Sequence, residues 1–135
     1  MKEKHLEFIQ NIVTRLNTNS FQIKGIAITI VVALLAIYAS TLKLNFILIP
    51  ILPTTIFWFL DAYYLQQERK FRGLYNDVAG VSKNPKKIKQ FEMSPDLYKG
   101  GKYNYICVLF SKTIWSIYIP IIVILSATYY YLNMK

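Results

Sequence analysis

One carboxylate, Asp61, stands near the end of an otherwise uncharged apolar run, and one ammonium, Lys112, opens another. Ionisable groups at such positions are costly unless they meet water or an opposite charge, so they point to ion-pair or ion-path chemistry. Asp61 is expected to pair with Arg69 or Lys112, to line an aqueous path, or to rest in headgroup water as an interfacial carboxylate. Lys112 can equally snorkel to the interface on its long stem. Thr54 lies seven residues before Asp61 and shares its helical face, while Ser116 and Pro120 share a face with Lys112. Thr54, Asp61, Lys112 and Ser116 are therefore the candidate pore-lining residues. Prolines at 50, 53 and 120 are expected to bend their helices and to free the carbonyls of Phe46, Ile49 and Ser116.

A second constellation is cationic. Arg69, Lys70 and Arg72 follow the apolar run that holds Asp61, and Lys83, Lys86, Lys87 and Lys89 crowd into seven residues around Pro85. The plain role of such charge is to set topology or to attract anionic lipid, at about 1 kcal/mol per residue. The sharper role is a phosphate or nucleic-acid site, and these seven residues are its candidates. Phe91, Tyr98, Tyr103 and Tyr105 lie close enough in sequence to stack bases.

Other chemistries lack their residues. There is no HExxH, GxSxG, P-loop or GxGxxG motif and no carboxylate pair at useful spacing. The single Cys107 excludes an intrachain disulfide and a CxxC metal site, and the single His5 argues against a His-ligated zinc centre. Neither enzymatic activity nor a cofactor is expected.

The elements that must carry these residues follow from composition. Of 135 residues, 54% are hydrophobic and only 17% charged, against roughly 25% charged in an average soluble domain. The net charge is +9. This balance excludes a disordered tail and argues for a membrane protein with basic aqueous parts. Residues 25–42, 44–65 and 113–132 are each long and apolar enough to cross a bilayer core of about 30 Å. Thirteen Lys and Arg lie in residues 1–24 and 66–104, whereas only Lys43 and Lys135 fall on the other side. The positive-inside rule then places the N terminus in the cytoplasm and the C terminus outside.

Residues 2–17 read as an amphipathic helix, with Leu6, Ile9, Val13 and Leu16 on one face. It is expected either to lie on the lipid surface or to pack on the cytoplasmic end of span two, and to break at Asn17-Thr18-Asn19-Ser20. Span two is expected to continue as a helix through Phe71, Leu74, Tyr75 and Val78 and to stop at Ala79-Gly80. The whole is an all-α membrane protein. One membrane domain covers residues 1–135: a cytoplasmic amphipathic segment (1–24), three transmembrane helices, and a basic cytoplasmic extension and loop (66–104). In span one, Gly25, Thr29, Ala33, Ala36 and Ser40 form a small-residue stripe that lets another helix approach closely. Three helices enclose no useful pore, so a homo-oligomeric ring of about four copies is the natural channel.

The stretches Asn19-Ser20-Phe21-Gln22-Ile23-Lys24-Gly25, Phe57-Trp58-Phe59-Leu60-Asp61-Ala62-Tyr63-Tyr64-Leu65-Gln66-Gln67-Glu68-Arg69 and Phe71-Arg72-x-Leu74-Tyr75 resemble the small bacterial membrane effectors of Hailong-type anti-phage systems. The resemblance covers residues 19–78 best. It implies a homo-oligomeric ion channel of the bacterial inner membrane that arrests growth on infection. It further implies that a single-stranded oligodeoxyadenylate, made by a partner nucleotidyltransferase, holds the channel closed. Two alternatives compete: a non-channel subunit that anchors a soluble partner to the membrane, and an unregulated holin-like toxin.

Overall fold

The computed structural model describes residues 2–135, which form helices and turns with no strand. Helix α1 spans Lys2–Thr41, α2 Asn45–Leu48, α3 Ile51–Ala79, α4 Tyr105–Leu109 and α5 Lys112–Met134. Two 3-10 turns, Pro95–Leu97 and Gly101–Tyr103, punctuate the segment between α3 and α4. Three stretches are long and apolar enough to cross a membrane: α1, α2 together with α3, and α5.

The continuity of α1 corrects the expected break at residues 17–20. Asn, Thr and Ser each cost at most about 0.7 kcal/mol relative to Ala inside a helix. No proline interrupts the segment, and Ser20 is buried rather than turned to solvent as a cap. The helix closes instead at Leu42, whose N–H donates to Tyr38 O at 2.7 Å and whose φ of 58° lies in the left-handed region.

Two of the three prolines also act differently from the expectation. Pro50 lies in the turn between α2 and α3, and Pro53 falls in the first turn of α3. There its missing N–H falls among the first N–H groups of the helix, which have no partner within it, so the ladder of α3 loses no bond. Pro120 alone lies well inside a helix. The far end of α3 follows the sequence pattern. Gly80, with φ of 77°, donates to Asp77 O, and Val81 donates to Asn76 O at 3.1 Å. This pair of bonds is a Schellman termination, which needs the left-handed residue that glycine supplies.

The chain divides into two compact units. A basic unit comprises Met1–Ser20 and Tyr63–Val108, and holds twelve of the sixteen Lys and Arg. An apolar unit comprises Phe21–Ala62 and Leu109–Lys135. Helices α1 and α3 each contribute residues to both.

In the basic unit Ile9 and Val13 of α1 pack with Leu74 of α3 and with Tyr98 from the irregular segment, surrounded by Phe71, Tyr75, Val78, Ile88, Met93 and Tyr103. The N-terminal stripe thus finds its partner in the extension of α3. Gly73 lets the irregular segment close over this core. A Cβ at that position would stand 2.5 Å from Tyr103 Oη and 3.0 Å from Tyr98 Cδ1. The Tyr103 hydroxyl can turn aside, but the Tyr98 ring is buried and bonded to Asp77. Gly73→Ala should therefore lose about 1–3 kcal/mol to overpacking and regain about 1 kcal/mol of helix propensity. The expected result is a modest net destabilisation in thermal unfolding, partly recovered by adding Tyr103→Phe. A more stable alanine variant would show that the Tyr98 ring yields.

The apolar unit has its own core, in which Val31 of α1, Ile47 of α2 and Leu125 of α5 are buried together with Leu35, Tyr38, Ile121 and Tyr129 around them. Its outer surface is apolar as well, with Val32, Leu52, Ile56, Val123 and Ile124 all more than half exposed. Large apolar side chains exposed in this number are compatible with a lipid surrounding.

Candidate functional site

Three helices of the apolar unit converge on Asp61. Its carboxylate has 0% exposure. Lys24 Nζ of α1 lies 2.6 Å from Asp61 Oδ2, and the Tyr118 hydroxyl of α5 donates to the same oxygen at 2.9 Å. The lysine side chain keeps 14% of its surface, so its ammonium reaches the carboxylate from the more accessible side.

This arrangement corrects three expectations. Asp61 is a carboxylate inside the protein rather than one resting in headgroup water. Its cation is Lys24, not Arg69 or Lys112. Among the described residues Lys112 has no ion pair, and its side chain is exposed, as is that of Ser116. Thr54 is fully buried, and its hydroxyl donates to Pro50 O at 2.7 Å. The four candidate pore residues thus split into a buried pair on α3 and an exposed pair on α5.

Lys24 and Tyr118 escaped the sequence reading. Lys24 immediately precedes the first uncharged run, and Asp61 lies four residues before the end of the second. In an antiparallel pair of spans those positions fall at the same end, and that was the available signal. Tyr118 carried none, because one tyrosine among eleven is not distinguished by spacing.

The small-residue stripe is not consumed within the chain. Gly25, Thr29, Ala33, Ala36 and Ser40 are all exposed, and a Cβ at Gly25 would meet nothing within 4 Å.

In the basic unit the seven candidate cations have unequal freedom. Arg69 Nη1 donates to Lys102 O at 3.0 Å, and Arg72 forks onto Glu68 Oε1 at 2.8 and 3.0 Å. Lys86 donates to Leu97 O and lies 4.4 Å above the Tyr98 ring. Lys83, Lys87 and Lys89 are exposed, with no acidic side chain beside their ammonium groups among the described residues, and Lys70 is half-buried without one. Three lysines therefore keep their full charge at the surface, while Lys86 also holds the loop together.

Of the aromatic residues expected to stack bases, Tyr98 is excluded by its burial in the core. Burial, reinforced by the hydrogen bond to Asp77 and by its charge, holds the Tyr98 phenol well above its ordinary range. Phe91 remains partly exposed, at a left-handed φ of 61°, and packs against Phe8 and His5 with ring centroids 5.6 and 5.8 Å away. His5 is itself buried and its Nε2 lies 2.8 Å from Glu92 O. A carbonyl only accepts, so Nε2 carries the proton. Beside it an open cavity of about 470 Å³ is lined by Lys2, His5, Asp77, Val78, Ile88 and Gln90. That volume is within the range of small-molecule sites.

No protein-family model matches the chain, and no curated protein or solved structure is significantly similar to it.

Proposed function

We propose that this chain is the subunit of a homo-oligomeric ion channel in the bacterial cell membrane, with its basic unit in the cytoplasm and its C terminus outside. Its opening arrests growth, and a single-stranded oligodeoxyadenylate bound at the basic unit holds it closed. The observation that carries this reading is the division of one short chain into a cation-rich unit and an apolar unit that share two helices. Charge on α3 and on the loop attracts a polyanion, and α1 and α3 are continuous helices through which its binding can bias the apolar unit. The exposed small-residue stripe supports self-association, since small residues let helix backbones approach closely. The resemblance over residues 19–78 supplies the identity of the ligand and the setting in anti-phage defence. A holin-like toxin fits less well, because unregulated lysis has no use for a separately packed basic core.

The test is ion flux from liposomes containing the purified protein, with and without short oligodeoxyadenylate. Flux that the ligand suppresses is the expected result. Its apparent affinity should fall with salt at a log–log slope of about −0.7 for each phosphate neutralised. The triple variant Lys83→Ala, Lys87→Ala, Lys89→Ala should weaken binding and flatten that slope while leaving thermal stability unchanged. Unaltered binding would confine these lysines to topology or lipid attraction and shift the ligand to Arg69, Lys70 and Arg72. Absence of flux under every condition, together with a monomeric mass in mild detergent, would favour the anchoring subunit instead.

A further inference from the structure

We infer that the open cavity of the basic unit receives a nucleobase carrying an exocyclic amine, with the adjoining phosphate at its lysine rim. The inference deepens the proposed function by naming residues that read the base, and it rests on that reading only for the step from binding to closure. The cavity, of about 470 Å³, is lined by Lys2 and His5 of α1, Asp77 and Val78 of α3, and Ile88 and Gln90 of the loop. Its polar lining is rich in acceptors. His5 is only 3% exposed, and its Nε2–H is committed to Glu92 O at 2.8 Å. Nδ1 is then a lone-pair acceptor, with no partner among the described residues. Asp77 accepts the Tyr98 hydroxyl at Oδ2 and has no protein donor at Oδ1 among the described residues. Two acceptors on two helices suit a ligand group that donates twice, as an amine does. The remaining lining decides which amine. Lys2 is exposed at the cavity, and the exposed Lys87 and Lys89 flank Ile88 in the chain. These cations repel an ammonium ligand and attract a neutral amine joined to an anion. Val78 and Ile88 add apolar surface suited to the faces of a flat ring. Adenine and cytosine present an amine, whereas thymine presents a carbonyl that would set oxygen against the two acceptors.

The experiment titrates the full-length chain in detergent with deoxyadenylate, deoxycytidylate and thymidylate and follows binding by calorimetry. The parent should bind the first two at least about tenfold more tightly than thymidylate, the effect of leaving a buried acceptor without a donor. Lys2→Ala should weaken all three alike, since phosphate contacts position a nucleotide without reading its base. His5→Gln should erase the preference, because a glutamine amide can keep the bond to Glu92 O while placing no acceptor at Nδ1. Equal binding of the three nucleotides by the parent, binding of none, or a preference that survives in His5→Gln would overturn the inference. The comparison among nucleotides needs no variant, so it decides whatever the stability of His5→Gln. Flux from liposomes separates this inference from the channel reading. A preference for the amine-bearing nucleotides, with flux that no oligonucleotide alters, keeps the site and removes the gating. Flux suppressed equally by oligodeoxyadenylate and by oligothymidylate keeps the gating and removes the site.

Discussion

Asp61→Ala should lower the stability of the folded chain by about 3–5 kcal/mol, because it leaves the Lys24 ammonium without its buried counter-charge. The lower end of that range is expected, since Lys24 is not fully enclosed and can withdraw part of its charge toward water. Tyr118 loses its acceptor at the same time, which adds the penalty of a buried hydroxyl left unbonded. Combining the change with Lys24→Met removes the stranded charge and should restore much of the loss. Such non-additivity is the signature of two groups that touch. Lys112→Met, which breaks no ion pair, should leave stability within about 0.5 kcal/mol of the parent. Unfolding of the four proteins in mixed micelles measures all of this. An Asp61→Ala protein as stable as the parent would show that the carboxylate reaches water.

The second large effect belongs to the basic unit. Leu74 is fully buried among Ile9, Val13 and Tyr98. Leu74→Ala should cost about 2–5 kcal/mol through lost transfer energy and the cavity left behind. The loss falls on one unit, so it should appear first as local opening. Amide hydrogen exchange is expected to accelerate in residues 5–16 and 71–78 before it does in the apolar unit. The same truncation at Ile56, more than half exposed on the apolar unit, removes no buried contact and should leave the exchange pattern unchanged. Uniform acceleration along the chain after Leu74→Ala would mean that the two units unfold as one.

What the sequence made legible was whatever depends on neighbours along the chain. The apolar lengths identified the three helices able to cross a membrane, and the stripe through Phe71, Leu74, Tyr75 and Val78 located both the continuation of α3 and its need for a partner. The stop at Gly80 was equally local, since a left-handed residue there is a property of glycine. The errors have a common cause as well. The polar run at residues 17–20 holds good caps, yet a cap is used only where the helix has reason to end, and burial of Ser20 outweighs that preference. Pro50 marks a boundary rather than a bend because α2 is too short to need the hydrogen bond that proline removes. The Lys24–Asp61–Tyr118 group joins three helices through tertiary geometry, which no spacing within one helix encodes. Tyr98 resembled a stacking platform by its place in a basic loop, but Gly73 admits it to the core.

The basic unit is assembled from both sides of the first two apolar stretches: Ile9 lies in the same core as Tyr98, roughly ninety residues later in the chain. At a synthesis rate of about 5–20 residues per second, the first turns of α1 must wait roughly 4–18 s on the ribosome before their partner exists. Throughout that interval Ile9 and Val13 have nothing of their own chain to cover them. The nascent segment then exposes an apolar face open to chaperones or a bilayer surface. A deletion of residues 2–17 would spare the apolar stretches but leave Leu74 and Tyr98 permanently uncovered, and the product should be a substrate for membrane proteolysis rather than a smaller working protein.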